Sequence, residues 1–148
     1  TMDVRWGGEL NYNFLSLSAG DVDGDGNAEL VTGTWGGQLL VLDGGSLIVE
    51  RGVQLAPLVL SGTDAVTQIL AIDRTDGSLP SIYALADDNL RLLDGRDLSL
   101  MGVEPVGNGS WVGLGLRPSP PVQHQPTDLS LTTAAAAYRF ELLPLTQR

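Results

Sequence analysis

The strongest constraint on this chain is that it repeats itself. Val41-Leu42-Asp43-Gly44 returns 51 positions later as Leu92-Leu93-Asp94-Gly95. Carried along the chain without gaps, the same offset places Gly36-Gly37 on Asp87-Asp88, Asp25-Gly26 on Asp76-Gly77 and Val31 on Ile82. It also places Leu47 and Val49 on Leu98 and Leu100. A fainter third copy, 99 positions on, puts Leu30, Leu39 and Val41 on Leu129, Tyr138 and Phe140, with Ser110–Leu114 as its first strand. A unit of this length cannot bury its own apolar faces, so it must stack on its neighbours.

Within the unit the pattern is that of short strands. Phe14–Ser18, Glu29–Thr34, Gln38–Leu42 and Ser46–Glu50 are rich in apolar residues and are separated by turn residues. Gly36-Gly37 reads as a two-residue hairpin with positive φ at both positions, and Asp43-Gly44-Gly45 as a second turn. Four antiparallel strands per repeat predict an all-β chain folded like a β-propeller, with about three four-stranded blades at roughly 11–55, 64–106 and 108–148. A β-sandwich is the competing architecture. The run Ala134–Ala137 has poor turn chemistry and leaves a helix over Thr132–Leu142 as the local alternative.

The ends carry a further expectation. Met2, Val4 and Trp6 alternate with Asp3 and Arg5, and Thr1–Arg5 aligns with Ser46–Glu50, so residues 1–10 read as an outer strand completing the last blade. Three blades fall short of the four to eight or so that usually surround a propeller channel. The chain is therefore expected to be half of a head-to-tail dimer that exchanges N-terminal strands, or part of a larger ring.

The chemistry concentrates in Asp21-Val22-Asp23-Gly24-Asp25-Gly26-Asn27-Ala28-Glu29. Carboxylates on alternate positions repel one another unless a cation sits among them, and a hard cation such as Ca2+ takes its six to eight or so oxygens from such a loop. The spacing makes Asp21, Asp23 and Asp25 side-chain ligands, Gly26 the bend, Asn27 a carbonyl ligand and Glu29 the ninth-position ligand or water holder. An exposed Asp/Gly turn without metal is the simpler alternative. An EF-hand would need an acidic residue at the twelfth position, where Thr32 stands, and its flanks would be helical. The second copy, Asp73-Arg74-Thr75-Asp76-Gly77-Ser78, has Arg74 at a ligand position and Pro80 at the ninth place, and the third, Arg117–Pro126, has no carboxylate. One calcium ion is expected.

Ala19–Gly33, with the apolar pair Leu30-Val31 and a glycine after the loop, resembles the FG-GAP or VCBS repeat, the calcium-loop blade of integrin α-subunit propellers and many bacterial surface proteins. The resemblance implies a propeller with calcium held between the first two strands of the blade. Glu29 stands where that family usually has Asp.

Composition removes several functions. With 18 acidic against 8 basic residues the net charge is −10, which opposes binding to a phosphate backbone, so no nucleic-acid partner is expected. All basic residues are arginine and there is no cysteine, which excludes lysine Schiff bases, thiolate nucleophiles and disulfides. No apolar run is long enough to span a bilayer.

The remaining candidates are few. His124, the single histidine, lies in a proline-rich stretch and reads as a surface residue. Asp87 and Asp88 read as a hairpin tip, not a glycosidase pair. Trp6, Trp35 and Trp111 either pack between blades or stack on sugar rings. The reading is a non-enzymatic, calcium-stabilised propeller module for protein–protein interaction or adhesion on a secreted or cell-surface protein. A carbohydrate-binding propeller is the alternative, and part of a larger propeller enzyme with its active site elsewhere is the third.

Overall fold

The computed structural model describes residues 13–56, 66–72, 80–106, 111–118, 126–133 and 137–141. The strand expected within 1–10, Trp6, the Asp73–Ser78 loop with Arg74, and His124 lie outside them. Every regular element among the described residues is a strand. The first sheet is a meander of β1 (Phe14–Gly20), β2 (Glu29–Thr34), β3 (Gln38–Asp43) and β4 (Val49–Gln54). The second repeats it with β5 (Val66–Ile72), β6 (Ser81–Ala86), β7 (Asn89–Asp94) and β8 (Leu100–Pro105). A third sheet contains β9 (Trp111–Pro118), β10 (Pro126–Thr133) and β11 (Ala137–Glu141), in the order β11-β10-β9. Of the range Thr132–Leu142 considered for a helix, the described residues are strand, and β10 and β11 pair antiparallel through Thr132 and Ala137.

The irregularities repeat along with the strands. The register slips between Phe14 and Ser16 on β1, and between Val66 and Gln68 on β5. It slips again between Val41 and Leu42, and between Leu92 and Leu93. Leu47 and Leu98 both hold a left-handed backbone, φ 58° and 60°, which is uncommon for a branched residue. Each donates its amide to the carbonyl of the motif aspartate, Asp43 or Asp94, at 2.8 and 2.9 Å. Because this turn occupies residues 43–48, the fourth strand begins at Val49 and not at Ser46 as the apolar pattern suggests.

The hairpins differ, and this corrects the gapless offset. Trp35, Gly36 and Gly37 separate β2 from β3; of the two glycines only Gly37 has positive φ (78°), and its amide donates to the Thr34 carbonyl. This is a three-residue loop, a turn followed by one left-handed residue. The tight two-residue form with positive φ at both positions occurs instead at Asp87 (50°) and Asp88 (52°). The second repeat is therefore one residue shorter at its hairpin. The offset is 52 before it and 51 after it, so Leu30, and not Val31, corresponds to Ile82: both face the leucine of the Leu-Asp-Gly motif across the ladder.

The first two sheets pack face to face. Val31, Leu39 and Val41 meet Val66, Ile69, Ala71, Ile82, Ala84 and Leu93 in one buried cluster, each larger side chain contributing on the order of 1.5–3 kcal/mol. The strands closest together are the first of each sheet, β1 on β5, and β5 in turn meets β9. The Ser16 hydroxyl donates to the Val66 carbonyl at 2.8 Å, and the Ala71 amide donates to the Ser18 hydroxyl at 2.9 Å. Gly33 lies under this joint: a Cβ there would sit 2.6 Å from the Val66 side chain and carbonyl and would also meet Ser16 Oγ. Gly33→Ala should destabilise the protein by about 1–3 kcal/mol, the range for overpacking, read as a lower urea midpoint with unchanged slope.

Candidate metal centre

The acidic loop connects β1 to β2 and folds around its own carboxylates. Asp21 accepts the amides of Gly24 (2.7 Å) and Gly26 (2.9 Å), one on each oxygen. Asp23 accepts the Asp25 amide at 3.2 Å, and Asp25 accepts the Asn27 amide at 2.7 Å and its side-chain amide at 3.1 Å. The path requires left-handed backbone at both Gly24 (φ 83°) and Gly26 (φ 94°), so the bend expected at Gly26 is shared between two glycines.

One apolar residue anchors the loop. Val22 is fully buried in the cluster between the first two sheets, and its carbonyl lies against Gly95, where a Cβ would collide with it. Glu29, the first residue of β2, is 3% exposed, and its carboxylate accepts the Val22 amide at 2.8 Å. Burial, the dominant cause, together with the charges of Asp23, Asp25 and Asp21, pushes the Glu29 carboxyl up from its ordinary 4.5, against the opposing Val22 hydrogen bond.

Asp21, Asp23 and Glu29 each bring one oxygen within 4.8 Å of the others. Oxygens bound to one calcium ion at about 2.3–2.6 Å can lie up to about 5 Å apart across it, so this spacing fits a single ion. Among the carboxylates of the loop, Asp25 stands outside this group, exposed and hydrogen-bonded to Asn27. A cation from the protein reaches it as well. Arg51 on β4 places Nη2 3.2 Å from the Asp23 carboxylate and Nη1 2.9 Å from the Arg96 carbonyl of the second sheet. Nothing in the local sequence marks Arg51, which comes from 28 residues away and is aligned by the β3–β4 register, opposite Val41.

The second sheet has no comparable group among its described residues. The ladder places Ser81, not Pro80, opposite Asp94, as Glu29 is opposite Asp43. The Ser81 hydroxyl is buried without a hydrogen-bond partner. Of the tryptophans, Trp35 is 57% exposed at the β2–β3 hairpin and does not pack between sheets, while Trp111 begins β9. Asp87 and Asp88 form the tip of the β6–β7 hairpin.

Fold and loop together define a β-propeller blade with an acidic first turn. The family model of the FG-GAP repeat matches residues 13–42, which hold β1, the acidic loop, β2 and most of β3. Among solved structures, the chain is similar to a β-propeller, "Crystal structure of BBS1N in complex with ARL6DN, soaked with lead", with a TM-score of 0.60 and 14% identity over 95% of this chain. It spans 39% of that structure's length. A computationally designed protein, Ika4, aligns at 10% identity with a TM-score of 0.41, over 90% of this chain and 94% of that one. No curated protein sequence matches the chain.

The raised Glu29 carboxyl gives a signed test in chelator. The folded state holds this proton more tightly than the unfolded chain, so its carboxylate costs stability as pH rises from 4.5 through the raised value. Metal-free Glu29→Gln should therefore be more stable than the parent near neutrality, and the difference should vanish on acidification, as followed by urea unfolding across pH.

Proposed function

We propose that the chain is a calcium-stabilised, non-enzymatic β-propeller module for protein–protein contact or adhesion, on a secreted or cell-surface protein. The observation that carries the metal reading is the buried Glu29 carboxylate held beside those of Asp21 and Asp23, three negative charges against the one guanidinium of Arg51. One ion is proposed. Asp21, Asp23 and Glu29 would hold it, with Asp25 and Asn27 reaching it on rearrangement of the exposed part of the loop. Calcium would draw the loop onto the start of β2 and, through Val22, onto the joint between sheets, acting as a structural staple.

The protein-binding reading is supported by the repeat family and by the similar propeller, whose structure is of a complex with ARL6DN. The division into blades at 11–55, 64–106 and 108–148 belongs to the same proposal, as does the extracellular setting, where calcium is abundant enough to fill sites with dissociation constants of about 0.1–1 mM. Among the described residues no helix is long and apolar enough to cross a membrane. The exposed Trp35 supports a second reading, a sugar-binding edge, in which glycan binding is lost on Trp35→Ala.

Calcium at about 10 mM should stabilise the chain by about 1.4–2.7 kcal/mol over EDTA for dissociation constants of about 0.1–1 mM. Asp23→Ala should remove the difference. An unfolding midpoint indifferent to EDTA would refute the staple.

A further inference from the structure

We infer that Arg51 is the internal counter-ion of the acidic loop: its guanidinium competes with a divalent cation for the Asp23 carboxylate, and Glu50 receives it when the cation enters. This deepens the metal reading proposed above and rests on it.

The strand places Arg51 for this exchange. On β4, Arg51 and Val53 are partly buried and alternate with exposed Glu50, Gly52 and Gln54, and Val53 packs against the cluster between the first two sheets. The guanidinium on this face reaches the second sheet, where Nη1 donates to the Arg96 carbonyl at 2.9 Å. Nη2 lies 3.2 Å from Asp23 Oδ2 and 3.4 Å from Glu50 Oε2, so one nitrogen stands between two carboxylates. Glu50 reaches it from a bulge. Leu42 pairs with Val49 and Val41 with Arg51, which leaves Glu50 as the extra residue, and a bulge re-aims a side chain.

The bond to Asp23 is of an exchangeable kind. A strong arginine–carboxylate pair is a fork of two parallel hydrogen bonds, and Arg96 makes one with Asp94, through Nε at 3.1 Å and Nη2 at 2.8 Å. Arg51 gives Asp23 a single bond, and its Nε is buried without a partner. A divalent ion bound by Asp21, Asp23 and Glu29 would stand close to this guanidinium, and like charges at that range repel. Transfer of Nη2 to Glu50 leaves Asp23 to the ion and keeps Nη1 on the second sheet.

The internal repeat supplies an independent observation. The ladders pair Leu92 with Gly102 as they pair Val41 with Arg51, and Leu93 with Leu100 as Leu42 with Val49. Gly102 therefore stands for Arg51 and Met101 for Glu50, in the same repeat in which Ser81 stands for Glu29. The repeat with the buried loop carboxylate carries the arginine and its second acceptor. The repeat without it carries neither.

Calorimetric titration of the 148-residue chain with calcium chloride, in about 0.5 M KCl to screen long-range charge effects, tests the exchange. Arg51→Gln should tighten calcium binding by about three- to tenfold, the worth of a partly exposed pair together with relief of the repulsion. In EDTA the same variant should have a lower urea midpoint than the parent. Glu50→Gln should weaken calcium binding in the parent and leave it unchanged in the Arg51→Gln background, where no guanidinium needs a second acceptor. Binding left unchanged or weakened by Arg51→Gln would overturn the inference, and so would a Glu50→Gln effect that persists without Arg51. An unchanged affinity in Glu50→Gln alone, an exposed substitution that keeps Arg51 in place, would overturn it as well. If neither the parent nor Arg51→Gln takes up calcium, the metal reading fails and the inference falls with it. Binding by Arg51→Gln but not by the parent would uphold the competition.

Discussion

The structure depends on how closely the inner strands of adjacent sheets approach. At β1 and β5 the separation is set by small side chains: the hydroxyls of Ser16 and Ser18 bond β5 backbone groups, and Gly33 leaves room for Val66. Larger residues there would wedge the sheets apart and open the apolar cluster between Val31, Leu39 and Val41 and their partners in the second sheet. Propeller geometry follows from this asymmetry, since strands that crowd at one edge and spread at the other make neighbouring sheets fan around an axis.

The acidic loop is built onto that joint. Val22 enters the cluster between the sheets, and Gly95 has no side chain where the Val22 carbonyl passes. Arg51 adds a second link, holding Asp23 with one nitrogen and the Arg96 carbonyl with another. Electrostatic strain at Glu29 is thus connected to packing between sheets, which is why a cation bound at the loop would bear on the stability of both.

Much of the fold was legible in the chain. The Leu-Asp-Gly recurrence, the turn residues and the strand-length apolar runs specify four-stranded repeats, and β2 runs over Glu29–Thr34 as its pattern indicates. Local pattern and fold part where turn chemistry decides register. Gly36-Gly37 suggested the tight hairpin, yet Asp87-Asp88 adopts it, because a short acidic side chain tolerates the left-handed region and a third loop residue removes the need for it at Gly36. That single residue shifts every correspondence on β1 and β2 by one, replacing Pro80 with Ser81 opposite Asp94.

The sequence by itself determined the repeat, the all-β character and the acidic loop, because strand period and alternating carboxylates are local properties of consecutive residues. Only the tertiary structure decided which carboxylates converge, that Arg51 reaches Asp23, and that Trp35 and Leu17 face outward. These depend on ladder register and on the approach of one sheet to the next, where residues separated by tens of positions come within a few ångströms and burial is set by the neighbour. The loop shows the division most directly: its composition calls for a cation, while the burial of Glu29 beside Asp21 and Asp23 comes from the sheet on which the loop is folded.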